Sequence, residues 1–206
     1  MKHNKIYLHP LTERIWHWLH ALAVVMLAIT GIQIHWAYKI HMFSLKTAID
    51  IHNFFGAFLV LDFLLWLFYN LFSKRIKHYI PTKFDLTKGA IIQGKFYGLG
   101  IFQGKPHPFA PTEDNKFNPM QKLSYFGLMT FLVPFLLATG ILFMFPVRFA
   151  GIIKAIGGMT VVGIAHTAIA FIIVSFIVVH IYLTTTGHTI FEEIETMITG
   201  WKETEE

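Results

Sequence analysis

The stretch that decides the fold is HTAIAFIIVSFIVVH, residues 166–180. It lies in an apolar run from about residue 159 to 185, long enough to cross the hydrocarbon core of a bilayer, which needs about 20 helical residues. Backbone groups find no water partners there, so the run must be helical. His166 and His180 are fourteen residues apart, close to four helical turns. Both side chains therefore point to one face, about 21 Å apart along the helix axis.

Three more runs of this kind precede it, at about residues 14–36, 47–72 and 119–145. The sequence therefore predicts an all-α integral membrane protein of one domain, residues 1–206, built as an up-down bundle of four transmembrane helices. The first run is longer than the apolar core of a signal peptide, about 7–15 residues, and is interpreted as a span. Pro134, inside the third run, should kink that helix or mark a packing contact.

Composition excludes several classes of protein. Hydrophobic residues make up 54% of the 206 residues, more than a soluble domain of this size can bury. The absence of cysteine excludes disulfides, thiolate zinc sites, Cys-ligated iron–sulfur clusters and covalently attached haem. The basic residues form no patterned motif for nucleic acid. Histidine is the unusual residue, with twelve copies.

The distribution of Lys and Arg predicts the topology. With four spans, both termini and the connection between the second and third spans lie on one side of the membrane. That side holds thirteen of the seventeen basic residues, and the other side holds only Lys39, Lys46, Arg148 and Lys154. The positive-inside rule therefore puts both termini in the cytoplasm of a bacterial or archaeal cell, with the chain in the inner membrane.

Two segments outside the spans are also predicted to matter. The long cytoplasmic connection, residues 73–117, is rich in Gly and Pro and is interpreted as either a functional loop or one lying on the headgroups. After the fourth span, Thr189 and Glu192 have the spacing of a capping box, and apolar residues then recur at helical spacing. This pattern predicts a short amphipathic interfacial helix over residues 189–201.

Four histidines pair by depth in the membrane. The first span runs outward and the second inward, so His17 is level with His180 near the inner surface, and His52 is level with His166 near the outer one. Two imidazoles facing across a helix bundle are what a bis-histidine haem requires. The pattern therefore predicts two b-type haems, with electrons passing between them. His20, three residues after His17, is the competing inner ligand.

Other interpretations of these residues stay open. The histidines would also suit a transporter with a proton relay or a metal path, or packing within a purely structural anchor. Gly31, Gly56 and Gly140 lie inside spans, where a flat macrocycle or a neighbouring helix needs close approach. Arg14, one turn before His17, suits a haem propionate or an interfacial anchor. The remaining histidines, among them His3, His35 and His188, are expected at the membrane surfaces.

Several motifs resemble those of one family, the membrane cytochrome b subunits of nickel–iron hydrogenases, formate dehydrogenases and thiosulfate reductases. The resemblance covers nearly the whole chain, and the tail is most similar to the thiosulfate-reductase-type branch. The motifs are RIWHW at 14–18, HNFFG at 52–56, KFNPMQK at 116–122, the spacing of the two histidines in the fourth span, TGH at 186–188 and MITGW at 197–201.

The resemblance implies particular site residues. It favours His17 over His20 as the inner ligand opposite His180, and it places His52 opposite His166 at the outer haem. In formate dehydrogenase relatives, the Asn before the third helix lies at a menaquinone site beside the inner haem, which implies a quinone contact for Asn118. The small residue and Gly that follow this Asn in the family are replaced here by Pro and Met.

The resemblance also implies a role. The chain would be the membrane subunit of a larger respiratory oxidoreductase, with no substrate-converting site of its own. It would carry electrons between a periplasmic-side partner and membrane quinone, either menaquinone or ubiquinone. The partner would be an iron–sulfur, multihaem cytochrome or catalytic subunit.

Overall fold

Four long helices dominate the computed structural model, which describes residues 4–112, 115–187 and 189–204. They are α1 (Leu11–His35), α2 (Leu45–Phe72), the third span (Pro119–Met144) and α7 (Met159–Thr184), and each is long and apolar enough to cross a membrane. The predicted all-α membrane fold is confirmed, and the helix ends fall within a few residues of the predicted runs. His3 and His188 lie outside the described residues.

Exposed apolar side chains cover the helices. Leu65 is 69% exposed, Ile164 67% and Phe54 65%, although all three lie within spans. Such surface would be costly in water and is favourable against lipid. The chain is therefore a multi-pass membrane protein.

The third span changes helical pitch before its proline. It consists of α4 (Pro119–Gly127), a π-helical segment (Leu128–Leu132) and α5 (Val133–Met144). Pro134 has no N–H to donate, so the turn before it loses one of its regular hydrogen bonds. A wider π turn at this point is a common adjustment.

The connection after α2 is not the irregular loop that its glycines suggest. A short 3₁₀ helix (Arg75–His78) is followed by continuous helical segments: Asp85–Gly89 (π), α3 (Ala90–Lys95), Phe96–Gly100 (π) and Ile101–Gln103 (3₁₀). A Cβ on Gly89 would lie 2.8 Å from Cγ of Pro119. Glycine here therefore allows close helix packing and does not mark a turn.

Both ends of the chain meet in a small sheet that the sequence did not predict. Strand β1 (Asn4–Tyr7) pairs antiparallel with β2 (Trp201–Thr204), so that Tyr7 lies opposite Trp201. A short helix α6 (Ala150–Ala155) precedes α7, and α8 (Glu192–Thr199) precedes β2.

The predicted C-terminal helix is present but shorter than residues 189–201, and the predicted capping box is wrong. The N-cap of α8 is Phe191, whose side chain makes no capping hydrogen bond. Thr189 instead accepts a hydrogen bond from the Glu192 N–H through its backbone oxygen. Gly200 ends the helix with a φ of +87°, a conformation that favours glycine.

The chain divides into two compact units, and the boundary falls inside each long helix. We call Met1–Arg14, Tyr69–Phe131 and Val178–Glu206 the sheet unit, and Ile15–Phe68 with Leu132–Ile177 the histidine unit. In the histidine unit, the buried Gln33 amide accepts a hydrogen bond from the Phe43 N–H and donates one to the Phe43 carbonyl. This contact fixes the connection between α1 and α2.

Candidate functional site

His52 and His166 face each other in the histidine unit. His52 lies on α2 and His166 on α7, and their ring centroids are 6.4 Å apart with an interplanar angle of 68°. The two rings are therefore close without being stacked. Of the predicted pairs, this is the one whose two members lie in the same unit.

A threonine hydroxyl holds the Nδ1 atom of each ring. Thr30 Oγ1 of α1 is 2.9 Å from His52 Nδ1, and Thr139 Oγ1 of α5 is 2.9 Å from His166 Nδ1. Both threonines are buried. Because the Nδ1 atoms are engaged in this way, Nε2 is the nitrogen that each ring has available for a metal.

Two of the three predicted glycines lie against these rings. A Cβ on Gly31 would be 3.3 Å from His52 Cε1, and a Cβ on Gly140 would be 3.6 Å from His166 Cε1. A Cβ on Gly56 would meet nothing within 4 Å. Gly31 and Gly140 therefore leave room beside the imidazoles.

The spacing of the rings fits an iron between them. With metal–imidazole bonds of about 2 Å and ring nitrogens roughly 1 Å from the ring centre, two axial ligands have centroids about 6 Å apart. The observed separation of 6.4 Å matches this value. The residues present therefore fit a bis-histidine haem, which His52 and His166 would hold between their rings.

The predicted inner pair is divided between the two units. His17 belongs to the histidine unit and His180 to the sheet unit. Within the histidine unit, the His17 ring contacts Trp18 edge to face, with centroids 5.2 Å apart. Haem ligation by His17 and His180 stays a prediction.

His20, the competitor of His17, has a buried acidic partner. His20 Nδ1 lies 2.7 Å from Asp62 Oδ2, and its ring stacks on Trp16 at 4.9 Å between centroids. The Trp16 indole N–H donates to the backbone carbonyl of Asp62 at 3.3 Å. Asp62 is only 4% exposed, although it lies inside the second span. The contact with the Asp62 carboxylate gives the His20 imidazole a partner inside the span, and this role requires no haem.

Arg14 has a structural role in the sheet unit. Its guanidinium donates to the carbonyl of Ile198 at the end of α8, and a Cβ on Gly200 would lie 3.3 Å from Arg14 Nε. The side chain therefore ties α1 to the C-terminal helix. Contact with a haem propionate stays a prediction.

Asn118 also has a structural role. Its side-chain oxygen accepts a hydrogen bond from the Gln121 N–H, while the Gln121 side chain accepts one from the Asn118 N–H, which completes a capping box at the start of α4. The Asn118 amide also donates to the Tyr97 hydroxyl at 2.9 Å. Burial raises the pKa of Tyr97, so this hydroxyl stays protonated and can itself donate. Quinone contact at Asn118 stays a prediction.

A buried ion cluster joins α1 to the connection in the sheet unit. The Glu13 carboxylate accepts hydrogen bonds from Lys116 at 2.5 Å and from Arg75 at 3.1 Å, and His9 Nδ1 lies 3.6 Å away. The Lys116 side chain is only 2% exposed, and burial lowers its pKa. A second pair, Lys122 and Asp85, is 3.3 Å apart.

Sequence reasoning missed Asp62, the two threonines and the Glu13 cluster. Asp62 was visible, since a carboxylate within an apolar run is itself a signal. The threonines gave no such signal, because a Thr in a span usually bonds its own helix backbone. Glu13 and Lys116 are 103 residues apart, so no local pattern links them.

Comparisons with known proteins match a family model and relatives over most of the chain. The family model described as prokaryotic cytochrome b561 matches residues 8–200. The chain is 34% identical over 198 residues to "Putative cytochrome YdhU" of Escherichia coli K12, covering 96% of this chain and 75% of that protein. It is 26% identical over 189 residues to "Putative protein-methionine-sulfoxide reductase subunit YedZ1" of Azospira oryzae, covering 86% of this chain and 90% of that protein.

Proposed function

Because the chain belongs to the prokaryotic cytochrome b561 family, a family of membrane electron-transfer proteins, we propose that it is a di-haem subunit linking a redox partner to the quinone pool. The observation that carries the proposal is the facing pair His52 and His166, with ring centroids 6.4 Å apart. Family membership favours this role over the transporter and anchor alternatives. Haem b, which the family implies, supplies one-electron chemistry without a substrate-converting site.

The second haem rests on the depth argument and on the resemblance. His17 and His180 would hold it near the inner surface, and His52 and His166 would hold the other near the outer surface. His166 and His180 lie on one unbroken helix, α7, about 21 Å apart along its axis. A single helix would thus give each haem one ligand.

The quinone would bind near Asn118 and Tyr97. The part-buried Tyr97 hydroxyl, bonded to the Asn118 amide, offers a neutral donor to a quinone oxygen. The fully buried Gln93 amide lies near this hydroxyl. These neutral groups would orient the quinone, and the protons for its reduction would come from the cytoplasmic side.

The name of one relative supports a partner, and the distribution of Lys and Arg supports an orientation. One relative is named as a reductase subunit, which supports a place for this chain in a larger complex. The excess of Lys and Arg on the side of the termini supports an inner-membrane protein with both termini in the cytoplasm. The partner would then meet the outer haem from the periplasm.

The test is the haem content of histidine variants of the full-length protein. Wild type should bind two haems per chain and titrate in two potentiometric steps. His52→Ala and His166→Ala should each abolish one step, and His17→Ala and His180→Ala should each abolish the other. His20→Ala and His35→Ala are the matched controls and should retain both. Wild type without haem, or a wild-type spectrum in all four ligand variants, would contradict the proposal.

The quinone site needs a variant that keeps the helix cap. Asn118→Ser retains a capping side chain but removes the amide that bonds Tyr97. We expect slower quinone reduction by the intact complex, with both haems and the thermal stability unchanged. Unchanged quinone kinetics in this variant and in Tyr97→Phe would argue against the site.

A further inference from the structure

We propose that Thr30 and Thr139 are positioning residues that fix the tautomer of the two outer histidines and lower the reduction potential of the centre they form. The inference rests on the proposed function, because it assumes that His52 and His166 bind haem iron. It goes further by assigning a role to two hydroxyls that the sequence did not single out.

The hydrogen bonds of Thr30 determine which nitrogen of His52 carries the imidazole proton. A hydroxyl has one proton, and Thr30 Oγ1 donates it to the carbonyl of Met26 at 2.7 Å. Toward His52 Nδ1, 2.9 Å away, the same oxygen can only accept. Nδ1 must therefore carry the imidazole proton. A hydrogen bond between His52 and the backbone of Leu27 agrees, since a carbonyl also only accepts.

The hydrogen bonds of Thr139 have the same consequence for His166. Thr139 Oγ1 lies 3.0 Å from the Phe135 carbonyl and 2.9 Å from the Leu136 carbonyl, and these two acceptors share its single proton. Toward His166 Nδ1, 2.9 Å away, the oxygen can therefore only accept. The His166 ring also has a hydrogen bond with the Leu136 backbone. Both rings are thus held with the proton on Nδ1 and the lone pair on Nε2, which is the form that binds a metal.

The contact of Thr30 with His52 and that of Thr139 with His166 have the same arrangement. In each, a buried Thr is followed by a Gly, and the pair serves a histidine on the next span: Thr30-Gly31 serves His52, and Thr139-Gly140 serves His166. The Thr holds Nδ1, while the Gly leaves space beside Cε1. The repetition makes incidental packing a poor explanation, because a lone Thr in a span needs no partner beyond its own backbone.

The arrangement has an electronic consequence. A ligand imidazole that donates from Nδ1 becomes more basic at Nε2, and a more basic ligand favours oxidised over reduced iron. Removing the threonine hydroxyl leaves each Nδ1 with only its backbone contact, at Leu27 or Leu136, and should therefore raise the reduction potential. One hydrogen bond of ordinary strength changes an equilibrium about three- to tenfold, which corresponds to about 30–60 mV for a one-electron couple.

The experiment compares Thr30→Val and Thr139→Val with the conservative variants Thr30→Ser and Thr139→Ser in the purified full-length protein. Valine keeps the shape of Thr but removes the hydroxyl, whereas serine keeps the hydroxyl. The control is Ser175→Ala on α7, which removes a hydroxyl that donates to the Phe171 carbonyl, about two and a half turns from His166 along the same helix. Haem content and redox potentiometry are measured for each.

We expect both valine variants to raise the potential of the haem whose step His52→Ala abolishes, to leave the other step in place, and to be rescued by serine. The control should match wild type. Valine variants that bind haem at an unchanged potential would overturn this inference and leave the proposed function standing. Wild type that binds no haem would instead overturn the proposed function.

Discussion

Among the described residues, the histidine unit buries mostly neutral polar groups, whereas the sheet unit buries pairs of opposite charge as well as neutral groups. In the described part of the histidine unit, the buried polar residues are Thr30, Gln33, Thr139 and a single acid, Asp62. The sheet unit buries Glu13, Lys116, Asp85 and Lys122 in ion pairs. The comparison shows two uses of buried polarity: neutral hydroxyls orient a reactive group, and ion pairs attach a long connection to the helices.

The two kinds of group differ in what their loss should cost. A neutral hydrogen bond contributes about 0.5–1.5 kcal/mol, but removing one member of a buried ion pair costs about 3–5 kcal/mol because the other charge is left unpaired. Mutations in the sheet unit should therefore affect stability first. Mutations in the histidine unit should affect the cofactor before they affect stability.

The largest effect is expected for Glu13→Gln. It leaves the Lys116 ammonium buried without its carboxylate and should lower the free energy of unfolding by about 3–5 kcal/mol. Thermal unfolding in detergent, followed by tryptophan fluorescence, measures the loss. Asp50→Asn, which breaks an exposed pair with Lys46, is the matched control and should show no measurable change.

The loss should also depend on pH. Burial holds the pKa of Lys116 below its usual value, and without Glu13 it falls further. Between the lowered folded pKa and the unfolded one, the unfolded chain binds more protons, so stability rises with pH. Glu13→Gln should therefore be less damaging at pH 9 than at pH 6, and adding Lys116→Met should restore stability. A flat pH response would contradict the account of this cluster.

A smaller effect, confined to the cofactor, is expected for Gly31→Val. Its side chain would press on the His52 ring, where a Cβ already lies 3.3 Å from Cε1, at an overpacking cost of about 1–3 kcal/mol. We expect loss of the outer haem with the inner one retained, measured by haem content per chain. Retention of the outer haem in Gly31→Val would contradict the close contact between this position and the His52 ring.

The smallest effects test the helical connection in the sheet unit. Gly98 lies in a helical segment with nothing within 4 Å of a built Cβ, so Gly98→Ala should stabilise the protein by about 0.5–1 kcal/mol. Gly89→Ala should instead destabilise it by about 1 kcal/mol, because its Cβ would press on Pro119. Thermal unfolding of both variants gives the signs, and two changes of the same sign would mean that the segment does not pack as described.

The sequence predicted the spans and the pairing of His52 with His166 for one physical reason. Membrane spans consist mostly of apolar residues, so a histidine within one is easily recognised in the sequence. Because a helix rises by a fixed distance per residue, the position of that histidine in the span gives its depth in the membrane. The distance of 6.4 Å between the two rings agrees with that reasoning. Assignment of His17 over His20 needed the family resemblance, because two residues three apart on one helix share a side.

The connection could not be predicted in the same way. Glycine, proline and lysine are expected throughout such a connection, so nothing in the sequence marked Gly89 as a position of close packing. Asn118 was read for its resemblance to a quinone residue, and its role as the N-cap of α4 went unnoticed. The sheet was missed because pairing of Tyr7 with Trp201 depends on contacts that no short window contains.

The pairing of β1 with β2 also constrains biosynthesis. In the nascent chain β1 is made before the four spans, but its partner strand is made only after all four have been synthesised. Until then β1 has an open hydrogen-bonding edge, so closing the sheet is a late step that requires every span to be present. Protease protection of residues 4–7 during translation would therefore report on completed insertion.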